Sequence, residues 1–199
     1  MSRMNANDQP KLAPPGAGLP KPELLIAKLI FRWGRWRTGR DQVTADFARH
    51  CDDILQLARR CDGVTGTQRV LIRRLPGLED SSRFWSVFMT LDHLRIVNDA
   101  IAGAIGSLVA GHVPTGVAST AAVKPSATVD ASMIAAFEDS CRNFERCASA
   151  SPDLATKAKY VHPWFGPLDA AGWHFMAGFH MKLHRRQIES IVAGLGKTR

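Results

Sequence analysis

Apolar positions recur at helical spacing through most of this chain. From residue 41 onward, Val43, Phe47, Cys51, Ile54 and Ala58 follow one another at steps of three or four, with Leu55 beside Ile54 widening the stripe and Asp41 placed to cap the start. That helix is expected to end near Asp62-Gly63, and a short piece, TQRVLIRRLPGL, closes at Pro76-Gly77. A long helix over residues 81–110 carries Phe84, Trp85, Phe88, Met89, Ile96, Val97, Ile101 and Ile105. Residues 111–129, rich in Gly, Pro, Ser and Thr, form a linker longer than most helix connections: a crossover, a lid or a mobile loop. A further helix over 130–150 turns Met133, Phe137, Cys141 and Phe144 inward, and Ser151-Pro152 ends it.

The last helix announces its own start. Asp169 is a good N-cap, and Leu168 before it with Trp173 after it has the spacing of a hydrophobic staple. The periodic stripe then runs to Gly194. No alternating run of strand length competes, and there is no internal repeat. The expected fold is all-α: an up-down four-helix bundle over residues 41–199, preceded by a flexible, basic N-terminal arm over residues 1–40.

Within that arm, residues 1–21 read as disordered because Pro14-Pro15 and Pro20 oppose regular structure. ELLIAKLIFRWGRWRTGR then mixes apolar and basic residues, with Trp33 and Trp36 among the arginines. It suits an amphipathic helix on an acidic membrane surface, or an arm packed on the core or on a partner subunit. Packing is preferred, since the segment is short and Gly34 interrupts it. Residues 1–40 hold eight basic residues against Asp8 and Glu23, so they carry six of the net +8. The folded part is thus nearly balanced, which argues against nucleic acid as its partner.

With 45% hydrophobic and 22% charged residues in 199, one sizeable core is affordable. No window is apolar enough for a membrane span, and the polar start lacks a secretory h-region, so a cytoplasmic location is expected. Cys51, Cys61, Cys141 and Cys147 show no CxxC pairing and are expected to be reduced thiols.

The histidines carry the chemistry. His180 and His184 stand four apart and so share one helix face, a spacing at which two imidazoles can hold one metal ion. His180 lies one turn from Met176, His184 one turn from Ile188, and His93 one turn from both Met89 and Val97. All three therefore point to the bundle interior or its mouth. A buried imidazole can be satisfied by a carbonyl or hydroxyl instead, but three inward histidines on two helices favour a His₃ site with an open position. No carboxylate stands at the Glu-x-x-His spacing of di-iron bundles, so a mononuclear site is expected. Neutral imidazoles suit zinc, nickel, iron or copper. His50, His112 and His174 lie off that face, and His162 is foremost part of a stiff HPWFG corner, with a base or extra ligand as its other role.

With one histidine on the second long helix and HxxxH on the last, the chain resembles the DinB-like superfamily of metal-binding four-helix bundles. His162 to Ile188, HPWFGPLDAAGWHFMAGFHMKLHRRQI, is similar to the HPxFG…HxxxHxxQ signature of one subgroup. The likeness spans residues 41–195 in architecture and is sharp over 162–188. It implies that His93, His180 and His184 bind a divalent transition metal such as zinc, nickel or iron. It also implies a thiol-dependent transferase or hydrolase-like enzyme using a low-molecular-weight thiol such as bacillithiol or mycothiol on a small molecule, and a homodimer. The subgroup commonly has a further histidine beside the second of the pair, where this chain has Leu183 and Arg185, and the basic arm has no counterpart. The competing classes are a non-catalytic metal-binding stress or structural protein, and a peripheral membrane or nucleic-acid-associated protein working through residues 22–40.

Overall fold

Four long helices surround the core of the computed structural model, which describes residues 10–196: α2 (Arg40–Ala58), α4 (Val87–Val109), α5 (Ser132–Ala150) and α6 (Ala170–Leu195). α1 (Lys21–Arg37) precedes them, and a single turn α3 (Gly63–Thr67) and two small hairpins lie in the connections between them. β1 (Val70–Leu71) pairs antiparallel with β2 (Phe84–Trp85), and β3 (Tyr160–His162) with β4 (Gly166–Leu168). The all-α four-helix bundle expected from the apolar period is present. Going round it, α2 packs on α6, α6 on α4, α4 on α5, and α5 on α2. Chain neighbours α2 and α4 thus sit across the bundle from each other, as do α5 and α6, which is why long connections separate them.

The stripes read from the sequence form the core. Phe47, Ile54, Leu55 and Ala58 of α2 meet Phe137 and Phe144 of α5 and Ile188 and Ile191 of α6, all buried. Phe47 and Phe144 rings lie 4.1 Å apart. Asp169 caps α6 as expected, its Oδ1 accepting from Gly172 N at 2.7 Å, and Leu168 and Trp173 are both buried. Cys51 and Cys141 are buried and face each other between α2 and α5; all four cysteines are free thiols.

Two boundaries differ from expectation. α4 begins at Val87, not at 81, because Ser86 caps it through Met89 N while Phe84–Trp85 pairs with β1. Strands of two or three residues are too short to leave an alternation in the sequence. Residues 10–20, expected to be disordered, lie against the bundle: Ala13 N donates to Asp80 Oδ2 at 2.8 Å and Leu19 is buried. Residues 1–9, part of that same expectation, fall outside the described residues.

The basic segment is helical and docked. Phe31 is its buried anchor, stacked on Phe165 at 4.3 Å and edge-on to Phe175 and Phe179. Arg35 bonds Asp169 at 2.5 Å, and Glu23 takes Arg74 and the Gly77 amide. Gly34 does not break the helix. A Cβ there would stand 2.8 Å from the Phe175 ring, so glycine lets α1 approach α6 closely. No helix among the described residues is long and apolar enough to cross a membrane.

Candidate metal centre

α4 and α6 face each other along the bundle, and this contact brings His93 to His180 and His184. One potential ligand atom from each lies within 4.8 Å of the other two. His93 Nε2 and His180 Nε2 are 3.1 Å apart. Two nitrogens bound tetrahedrally to one ion at 2.0–2.1 Å would be about 3.3 Å apart. The trio therefore could hold a metal ion with little movement.

The outer nitrogens explain how the rings are aimed. His93 Nδ1 is 2.6 Å from the Val123 carbonyl, which can only accept, so Nδ1 carries the proton and Nε2 presents a lone pair. His184 Nδ1 is 2.6 Å from Gln187 Oε1. Gln187 Nε2 in turn donates to the Ser82 carbonyl at 2.7 Å, which fixes the amide with its oxygen toward His184. His184 is thereby also an Nδ1–H tautomer with its Nε2 bare. Hydrogen-bonded outer nitrogens of this kind set the tautomer and orientation of metal-ligating histidines. His180 differs: its Nδ1 is buried with no hydrogen-bond partner.

All three rings are kept neutral. Burial pushes His93 down to about 4, the Val123 hydrogen bond opposing and Lys124 assisting. Burial holds His180 well below the ordinary value, and neighbouring His184 and His93 lower it further. Burial likewise dominates at His184, with His93 next. Neutral imidazoles are the form that binds metal.

Trp85 walls the site, 5.1 Å from His93 and parallel to His184 at 6.3 Å. Beside it Lys124 Nζ bonds Glu79 Oε2 at 2.7 Å, Ser82 Oγ at 2.9 Å and Ser81 Oγ at 3.0 Å, and lies 5.3 Å from the Trp85 ring. Lys124 neutralises Glu79, whose carboxyl stays below its ordinary value despite burial because Lys124 and Thr120 bond it. These contacts decide the role of residues 111–129. Val123, Lys124, Thr120 and Ser126, whose amide donates to Asp92, pin the connection over the histidines.

Under this connection the trio opens on a cavity of about 490 Å³, within the range of small-molecule sites. Its walls include Val97, Ile101 and Ala104 of α4, Val117 and Ala118 of the connection, and Met176 of α6. Glu79 is the sole carboxylate lining it among the described residues, and it is already paired.

His162 lines the cavity without joining the trio. Its Nδ1 accepts from the amides of Trp164 and Phe165 at 3.1 and 3.3 Å, so the ring braces the HPWFG corner. Gly166 supplies the turn at φ +75°. His174 pairs with Thr44 Oγ1 at 3.1 Å, away from the site, and His50 is buried on α2.

Gln187, Trp85, Glu79 and the Val123 carbonyl were not singled out from the sequence. Gln187 alone left a signal, standing three residues after His184 on the same helix.

No protein-family model matches the chain, and no curated protein matches it. Among solved structures it is similar to TT2238, a four-helix bundle protein, at 17% identity and a TM-score of 0.56. That match covers 76% of this chain and 98% of the other. At this identity the likeness shows the four-helix bundle fold alone.

Proposed function

We propose that His93, His180 and His184 hold a divalent transition metal, and that the chain is a metal-dependent enzyme of DinB-like type acting on a small molecule. One observation carries the site: two buried imidazoles are locked as Nδ1–H tautomers, so their bare Nε2 atoms face one shared space with a third ring. The 3.1 Å contact between His93 Nε2 and His180 Nε2 lets a proton on His180 Nε2 bridge the two rings in the metal-free protein, and a bound cation would take that proton's place. Zinc, nickel and iron suit three neutral imidazoles, and a bound ion would supply a Lewis acid that favours the deprotonated form of a thiol or a water.

The chain's own residues do the rest. Gln187 and the Val123 carbonyl aim His184 and His93. The connection over residues 111–129 and the Trp85 wall limit water at the trio. The apolar cavity takes a substrate whose reactive atom lies next to the histidines. The resemblance of residues 162–188 supports a low-molecular-weight thiol as co-substrate.

A second reading, metal binding without turnover, is favoured by the pairing of Glu79 with Lys124, which leaves no free carboxylate base among the described residues lining the cavity. The two separate on incubating metal-loaded protein with a thiol and a panel of small electrophiles. The enzyme reading expects thiol consumption that His184→Ala abolishes. Consumption no faster than the uncatalysed rate, with metal still bound, selects the second reading.

A further inference from the structure

The face of α1 opposite Phe31 is apolar and uncovered. Leu25, Ile26, Leu29, Ile30, Trp33 and Trp36 are 54 to 81% exposed. At 3.6 residues per turn these six make one continuous stripe along the helix, about 16 Å long, while Phe31 points the other way into the core. Single exposed apolar side chains are ordinary, but six on one face of one helix are a docking surface.

Charge identifies the partner. Lys21, Lys28 and Arg32 line one border of the stripe and Arg37 lies at its C-terminal end over the Trp33 ring, 5.1 Å from the centroid, all exposed and without an ion-pair partner among the described residues. The local acidic side chain, Glu23, is already taken by Arg74, and Arg35 by Asp169. A twofold contact between two copies of this face would set unpaired cations against unpaired cations. Trp33 and Trp36 are side chains suited to a boundary between water and hydrocarbon, and cations at the rim suit acidic headgroups. Helices with this division lie flat in a lipid interface.

We propose that α1 docks the chain on an anionic lipid surface, its stripe entering the headgroup boundary while Phe31, Arg35 and Glu23 hold the bundle above. The metal site is not needed for this. The helix is therefore both things the sequence suggested as alternatives, packed on the core by one face and free to meet a membrane by the other.

The full chain is mixed at low salt with vesicles of phosphatidylcholine alone and of equimolar phosphatidylglycerol and phosphatidylcholine, and sedimented. Binding is expected to the anionic vesicles, with a blue shift of tryptophan emission, and little to the neutral ones. Lys28→Gln and Arg32→Gln should each weaken it by roughly fivefold. Leu29→Glu with Ile30→Glu should abolish it while the circular dichroism stays unchanged, since both side chains are exposed. Absence of binding to anionic vesicles at low salt overturns the proposal. So does a dimer of the parent chain that this double variant converts to monomer without any lipid binding. Binding to duplex DNA that survives the double variant, with no vesicle binding, likewise assigns the cations to another partner.

Discussion

Gln187 is the residue whose substitution isolates the candidate site from the fold. Its carboxamide spans the His184 ring and the Ser82 carbonyl, so Gln187→Leu keeps the volume and removes the hydrogen bond that sets the tautomer. We expect metal affinity to fall about 10- to 100-fold with the far-ultraviolet spectrum retained, measured by competition against a chromophoric chelator. An unchanged affinity would mean that His184 needs no such aim. At this scale the sequence showed which rings meet but not how they are held. His180 and His184 were legible because a four-residue step fixes a shared face, and His93 because Met89 and Val97 set its phase. The Val123 carbonyl was not legible, being backbone in a connection without periodicity, and Gln187 was legible only as the last position of HxxxHxxQ, without the hydrogen bond it makes to His184.

The helices were legible where packing repeats and obscure where chain ends meet a cap. Asp169 and its staple residues marked the start of α6, whereas Ser86 was hidden inside a run of aromatic residues that continue the apolar pattern into β2. The docking of α1 rests on one anchor. Phe31→Ala should speed amide exchange over residues 21–37 and lower stability by about 3 kcal/mol, the low end for a buried phenylalanine, while leaving metal stoichiometry unchanged. Equal protection in variant and parent would show that the ion pairs of Arg35 and Glu23 suffice. The turn of α3 is tighter still. A Cβ on Gly66 would lie 2.2 Å from the Phe88 ring, so Gly66→Ala should cost about 1–3 kcal/mol in thermal denaturation. No loss would mean that the ring moves aside freely.

Across the whole molecule, buried histidines tie stability to pH. His50, His162 and His174 are each held at about 4 against an ordinary 6.5, burial being the chief cause in all three. They stay neutral in the folded chain while the unfolded chain takes up protons, so stability is complete above 6.5 and falls as pH drops towards 4. Glu23 and Glu79 are shifted below their ordinary 4.5, so their loss comes at still lower pH. The urea midpoint of metal-free protein should therefore be lower at about pH 5 than at pH 7. An equal midpoint would place those imidazoles in contact with water.

The central claim, three neutral imidazoles holding one ion, is tested most directly by metal analysis of the full chain prepared without a histidine tag. The expected result is one transition-metal ion per chain, tightly held, and its loss in His93→Ala and His184→Ala variants that remain folded. Protein that stays metal-free after soaking with zinc, nickel and ferrous iron, or variants that keep their ion, would contradict it.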